Sequence, residues 1–537
     1  MHGVILTAGR VEDSMAQLFG DISTGLVPVQ GRPVLFYIIN NFLKVQIRTT
    51  HIAVGHGAES VQQVLGGYFA AKADLCYVEV DPDKGPGDSL LAVLHGMGRG
   101  KAVVVLADTW MDLTPDTVAL DDVVFASTDF TDPRKWCTVE VDGSGQVSAI
   151  HDKCPVEQVV HALVGVYIFS DVSLFAGFSS DKRRLEIADL LQFYHSRLPL
   201  SVAMTDKWLD FGHFEKYQTS KKRLLEARHF NTLEFDDLLG TITKRSDNVE
   251  KFRNEVRWQL ELPDTLQVLF PRILAYELAG DAPFVTMEYF GYQTVAEIWL
   301  YANFRPNVLE KIVARLWHIL LLFRRERRPV SMACYQQIYR HKTEQRLSTL
   351  LESSPLFAHL LAAPELVVNG RRLRNWSVLR DSVWAKIPTL YRPEDNCLIH
   401  GDYCFSNILF DINNGIVRLL DPRGRWGEQA FGDFKYDLAK LRHSIHGDYD
   451  FIVNDLLQVE CRQEIPPRID YRIFKATHHR EVSRYFDRLI AQQFDLREIQ
   501  LIEGLLFLSM IPLHANDRQR QLVMYAKALE ILNDSAE

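Results

Sequence analysis

Between Leu398 and Gly424 the chain reads LIHGDYCFSNILFDINNGIVRLLDPRG. Asp402, Asn407 and Asp421 place a carboxylate, an amide and a second carboxylate within one hairpin-sized stretch. The apolar runs Leu398 to Ile399, Ile408 to Phe410 and Val417 to Leu420 predict short strands, so the polar groups fall at strand ends and on a loop. Hard oxygen donors gathered in this way suit a divalent cation bound together with phosphate oxygens.

Such a site needs a scaffold, and the chain is long enough to offer more than one. Its 537 residues exceed what a single hydrophobic core organises and favour roughly two to four domains. A net charge of -9 argues against a protein whose main task is to grip nucleic acid. The basic runs DKRR and SKKRLLEAR are expected to be solvated helix faces. Seven scattered cysteines without a CxxC pair predict reduced thiols rather than a zinc site or a disulfide framework. No apolar run is long enough to span a bilayer and the N-terminus lacks a secretory pattern, so a soluble cytoplasmic protein without membrane insertion is expected. Self-association is left open.

The first part of the chain alternates short apolar strands with helical stretches: GVILTAG, VLFYIINNFLKV, THIAVG, AESVQQVLGGYF, LCYVEV, SLLAVLHGM, KAVVVLAD. That rhythm predicts βαβ units and a mostly parallel sheet. Ligands bind beyond the carboxyl ends of strands in such sheets, which singles out the turn after Leu6 (Thr7, Ala8, Gly9, Arg10) and the segment ADTWMD containing Asp108. Small residues in that turn let backbone N–H groups approach phosphates. Strand-like NTLEFD and LGTITKRS then give way, after about residue 293, to long amphipathic helices. The boundary is expected at residue 228, inside a charged helix running into a new strand.

In order, GVILTAGR, LVPVQGRP, DKGPGDS, VVVLADTWMD and KWLDFGHFEKY resemble the sugar-1-phosphate and alcohol-phosphate nucleotidyltransferases. The resemblance implies a Rossmann-like domain over 1–228 in which Asp108 and Asp210 hold Mg2+ between an incoming phosphate and the α-phosphate of a nucleoside triphosphate. It implies that Gly85, Gly87 and Asp88 line the base pocket, with a plain loop as the other reading, and leaves Arg10, Arg32 and Lys153 as phosphate partners. Gly165, in ALVGVYIFS, falls in the part that packs around a sugar phosphate. The chain departs from the pattern in its first loop, where Glu12 and Asp13 stand where positive charge would help, and near Thr24, where a lysine is usual.

HGDYCFSN followed by LLDPRG resembles the aminoglycoside phosphotransferase and choline kinase group, relatives of the protein kinases. This implies a bilobal α+β domain over 229–537, with an N-lobe at about 229–290 and a helical C-lobe at about 291–537. By the resemblance Asp402 accepts the substrate hydroxyl proton, Asn407 and Asp421 coordinate Mg2+, and His400 fixes the loop. Lys244 on a strand would hold ATP phosphates and Glu255 on a helix would hold Lys244. The backbone of Met287, Glu288 and Tyr289 would meet the adenine, Asp433 and Asp437 would brace the catalytic loop, and Arg423 would pair with a phosphate or a carboxylate.

The α/β class with two successive catalytic domains implies two consecutive steps on a small molecule, with ATP and a second nucleoside triphosphate as substrates. A sugar giving a nucleotide sugar for bacterial surface polysaccharide is the first expectation. An alcohol such as choline is the alternative, for which Trp110, Trp136, Trp208 and Trp426 could supply an aromatic cage. A nucleotide-binding scaffold without turnover is the third.

Overall fold

A computed structural model describes residues 1–226, 233–425 and 430–536. The chain divides into two compact units, one of residues 1–227 and 301–303, the other of 228–300 and 304–537. The boundary expected at residue 228, and Trp426, lie outside the described residues.

In the first unit the apolar runs become a nine-stranded sheet. Strands β1 (His2–Leu6), β2 (Thr49–Val54), β3 (Asp74–Glu79) and β4 (Ala102–Leu106) pair in parallel in the order β3-β2-β1-β4. Val4, Ile5, Val103 and Val104 are wholly buried, as expected of central strands covered on both faces. Helix α1 (Pro86–Met97) crosses from β3 to β4. The strand order reverses between β1 and β4, so the turns after these two strands flank the crevice where α/β sheets bind ligands. Those turns carry Thr7 to Arg10 and Asp108.

Beyond β4 the sheet is mixed. A ribbon strand β5 (Thr109–Met111) follows directly, and β6 (His161–Phe169) runs antiparallel to β4 and leads on to four more strands. Strand β7 (Trp208–Asp210) returns to pair with β5, with Asp210 opposite Thr109. DKRR, expected on a helix face, lies in a loop where Lys182 pairs with Asp189 at 2.5 Å.

The second unit opens with an antiparallel sheet of β8 (Leu233–Asp236), β9 (Thr241–Arg245), β10 (Ile273–Glu277) and β11 (Phe284–Glu288), in the order β8-β9-β11-β10. Helix α2 (Val249–Leu260) packs on it through Phe252 and Val256 against Val285. The larger lobe is mainly helical, including α3 (Lys342–Ser353), α4 (Phe434–Ile445) and α5 (His478–Ala491). It also holds a four-stranded sheet of Glu365–Val368, Arg371–Arg374, Leu457–Arg462 and Arg468–Ile473, strands that the sequence reading did not single out.

The hairpin β12 (Ile408–Asp411) and β13 (Ile416–Leu419) carries the acidic loop on its two open ends. Every residue of α4 is buried, charged ones included. Buried charges persist only when paired, and here Lys435 meets Glu498 at 2.9 Å, Arg442 meets Asp487 at 2.8 Å and Lys440 meets Asp402 at 2.9 Å.

Candidate active sites

In the first unit the β5–β7 register is what joins the two acids. Pairing Asp210 with Thr109 sets it beside Asp108, and the Phe211 N–H donates to the Asp108 carbonyl at 2.8 Å. Gly212 makes the room, since a Cβ there would lie 2.6 Å from Asp108 Oδ2. Asp210 accepts from the Gly212 N–H at 2.9 Å and faces His213 Nδ1 at 2.7 Å. Burial, then the Asp210 charge, push the Asp108 carboxyl up to about 6. Burial works against a charged His213, yet Asp210 outweighs it and the imidazole pKa rises. Glu12 stands 3.8 Å from His213 Nε2 and adds to the charge felt by Asp108. Asp108 and Asp210 are hard oxygen donors that would suit a divalent cation completed by phosphate and water, because it supplies the missing positive charge; among the described residues no third ligand is gathered with them.

Around this pair, Leu6 lies in register with Leu106, and Thr7 is buried with its hydroxyl 2.7 Å from that of Ser23. Ala8 accepts from the His56 N–H at 2.9 Å, while a Cβ on Gly9 would meet open space. Gly165, at φ 81, sits where a Cβ would be 3.0 Å from the Thr109 hydroxyl, directly beside Asp108 in the chain.

Other expected residues have local tasks. Cβ atoms on Gly85 and Gly87 would run into the carbonyls of Leu185 and Glu186, so both glycines serve a close backbone approach. Asp88 caps α1 by accepting from Gly85 at 3.0 Å and ties down Leu185 at 2.8 Å. Arg10 is exposed, bridged to Ser23 through the backbone. Arg32 lies over the rings of Phe36 and Tyr68, and Lys153 donates its N–H to Trp136. The charges acting most on Asp108 are those of Asp210, His213 and Glu12. Of the tryptophans, Trp208 is buried and lies edge-on to Trp136 at 5.4 Å.

In the second unit the loop that carries Asp402 is braced from below. Asp437, in the first turn of α4, accepts from the His400 N–H at 2.6 Å and the Gly401 N–H at 2.8 Å. Asp433 caps the same helix by accepting from the Lys435 N–H and also receives the Tyr339 hydroxyl at 3.0 Å. Burial among Trp258, Phe270 and Tyr403 holds the His400 imidazole pKa down to about 4, so the ring is neutral. Its Nδ1 accepts from the Asp402 N–H at 3.3 Å.

Asp402 is 40% exposed and opens to solvent, with Lys440 on its Oδ1 at 2.9 Å and the Asn407 amide on its Oδ2 at 2.9 Å. Loss of water would raise its pKa, but Lys440 overrides this and holds the carboxyl down at about 2. Because the Asn407 N–H2 is spent on Asp402, the amide oxygen is the donor left to offer a cation. Asp421 adopts φ 49, which an aspartate tolerates, and receives Lys244 Nζ at 2.6 Å. Glu255 stands 3.7 Å from the same ammonium. Burial opposes the Lys244 charge, yet Asp421 and Glu255 outweigh it and raise the pKa. Asp421 and Asn407, two hard oxygen donors beside the Lys244 ammonium, would suit a magnesium ion whose remaining ligands came from phosphate and water.

Met287 and Glu288 end β11, and the N–H groups of Glu288 and Tyr289 already donate to Arg272 and Gly240. Arg423 donates its N–H to the His400 carbonyl at 2.9 Å. Sequence reasoning missed Lys440, Gly212 and His213. The signal for Lys440 was its place one turn after Asp437 on the same helix.

Residues 226–455 match the phosphotransferase enzyme family, and this part of the chain forms a phosphotransferase domain of that family. The N-terminal region matches sugar-phosphate nucleotidyltransferases. A glucose-1-phosphate thymidylyltransferase of Streptomyces griseus is 24% identical over 277 residues, which are 50% of this chain and 74% of that protein. The low-salt glycan biosynthesis nucleotidyltransferase Agl11 of Haloferax volcanii is 28% identical over 215 residues, 36% of this chain and 56% of that one. Among solved structures, HddC from Yersinia pseudotuberculosis complexed with GMP-PN aligns at 16% identity and a TM-score of 0.34, over 42% of this chain and 100% of that one. Both matched groups are enzymes, and together the domains support a bifunctional kinase and nucleotidyl-transfer enzyme.

Proposed function

We propose that the second unit phosphorylates a sugar with ATP and that the first couples the resulting sugar phosphate to a nucleoside triphosphate, giving a nucleotide sugar and pyrophosphate for surface polysaccharide assembly. The observation that carries the kinase half is the cluster in which Lys244 reaches Asp421 while Asn407 clamps Asp402. For the second half it is the meeting of Asp108 and Asp210 through the β5–β7 register. The sugar is suggested by the matched relatives, which include a glucose-1-phosphate thymidylyltransferase and a glycan biosynthesis nucleotidyltransferase.

Asp402 orients the acceptor hydroxyl and receives its proton as the oxygen bonds to the γ-phosphorus and the β–γ bridge opens. With its carboxyl held near 2, Asp402 positions more than it deprotonates, which suits a loose phosphoryl-transfer transition state. Lys244 holds ATP phosphates and Glu255 keeps its ammonium on the strand side. In the first unit Asp108 and Asp210 face the α-phosphate, and the turn from Thr7 to Gly9 lies across the crevice to receive the remaining phosphates. Magnesium, held by Asn407 and Asp421 in one site and by Asp108 and Asp210 in the other, would neutralise the crowded phosphate oxygens.

Full-length protein with Mg2+, ATP, a sugar panel and CTP, UTP, GTP or dTTP is expected to release ADP and pyrophosphate, with the nucleotide sugar identified by mass spectrometry. Absence of ADP with every acceptor would favour a scaffold that binds nucleotides without turnover.

A further inference from the structure

On the acceptor side of Asp402 lies a group of basic side chains that phosphorylation of a neutral alcohol does not require. Helix α3 begins straight after a π turn at Gln337–His341, a wide turn of the kind that often marks functional sites. It presents Lys342 and Arg346 one turn apart, and α4 answers with Tyr436 and Lys440, also one turn apart. Lys342 Nζ lies 3.2 Å from the Tyr436 hydroxyl, and Lys440 Nζ lies 2.9 Å from Asp402 Oδ1. Arg423 covers the catalytic loop so closely that a Cβ on Gly401 would come within 2.8 Å of its own Cβ. Arg346 is anchored by a bond from Nη1 to the Ser509 carbonyl at 2.9 Å.

These cations do not belong with the nucleotide-facing lysine. The partners of Lys244 are Asp421 and Glu255, whereas the acid whose charge acts on both Lys342 and Arg346 is Asp402. The contacts agree: Lys440 on Asp402 and Tyr436 on Lys342 stand one turn apart on α4, which sets Lys342 about a helical turn from the residue that holds Asp402. Burial first, then Arg423, Arg346 and Lys440, press the Lys342 ammonium towards the neutral amine, so an added negative charge would be received well there.

We propose that the kinase acceptor is an anionic hydroxyl compound, whose phosphate or carboxylate group sits among Lys342, Arg346 and Arg423 while a hydroxyl reaches Asp402. This rests on the reading of Asp402 as the acceptor-side residue. In the step, the acceptor oxygen forms a bond to the γ-phosphorus, the β–γ bridging P–O bond breaks, ADP leaves, and the hydroxyl proton passes through Asp402 to solvent. The acceptor's own oxyanion is unchanged and serves for binding alone.

The test measures ADP release by the full-length protein with matched acceptors: neutral hexoses, the corresponding hexose phosphates and the corresponding uronates. An oxyanion-bearing acceptor is expected to show kcat/KM roughly a hundredfold above its neutral counterpart, with the phosphate and carboxylate arms telling which oxyanion is used. Arg346→Ala should raise KM for that acceptor more than it lowers kcat, and Arg346→Lys should recover part of the loss. Should the variants fail to fold, inorganic phosphate serves as a probe on the wild-type protein and is expected to compete with the acceptor. Competition against ATP alone would assign these cations to the nucleotide and overturn the proposal. Neutral acceptors turned over as well as anionic ones would overturn it while leaving the kinase reading standing, whereas no ADP with any acceptor would remove both.

Discussion

Asp108 is the residue whose chemistry depends most on what binds beside it. Its carboxyl is raised to about 6 by burial and by Asp210, so the protonated form adds stability that is fully present below the ordinary carboxylate range and is lost as pH rises through about 6. A divalent cation bound at Asp108 would displace that proton, and its affinity should therefore weaken roughly tenfold for each pH unit below this point. We expect 10 mM Mg2+ to raise the melting temperature more at pH 8 than at pH 5, and Asp108→Asn to remove the part of this pH dependence that belongs to the first unit. A magnesium-induced shift that is the same at both pH values in the wild type and the variant would mean that Asp108 does not meet the cation.

The elements explain which parts of the sites could be read from sequence. The loop at 398–424 was legible because apolar runs mark the strand ends on which Asp402, Asn407 and Asp421 stand, and the hairpin β12–β13 keeps them close in the chain as well as in space. Lys244 and Glu255 were legible for the related reason that strand and helix periods are local. The meeting of Asp108 with Asp210 rested on resemblance, because a ribbon register between distant segments leaves no local pattern. Arg32 and Lys153 rested on resemblance alone, because side-chain direction follows packing that the sequence does not print: Arg32 lies over the rings of Phe36 and Tyr68, and Lys153 stands in a turn at φ 50. In the sheet around Glu365–Val368 the two hairpins are local, but their joining through Val367–Val368 and Arg468–Ile469 spans about a hundred residues and leaves no local pattern. Gly212 gives this level its prediction. A methyl group there would press on Asp108 Oδ2, and forcing extra atoms into a packed site costs about 1–3 kcal/mol. Gly212→Ala is expected to lower pyrophosphate release by roughly a hundredfold, with ADP release unchanged; equal loss of both would show that the glycine supports the fold and not the acid pair.

At the scale of the whole chain, two acid sites in two compact units imply activities that can be separated and recombined. Asp402→Asn should abolish ADP formation and retain coupling of supplied sugar phosphate to the nucleotide, and Asp108→Asn should do the reverse. If the intermediate leaves one site and enters the other through solution, an equimolar mixture of the two variants will make nucleotide sugar from the free acceptor. The mixture should show a lag while the intermediate accumulates, then a steady rate within about twofold of the wild type at equal total protein, because half of each kind of site remains. A mixture that stays slower by more than tenfold once the intermediate has accumulated would instead require transfer within one chain. Loss of both activities in either single variant, with the fold intact, would contradict the assignment of one reaction to each unit, since neither acid group could then be serving a single step.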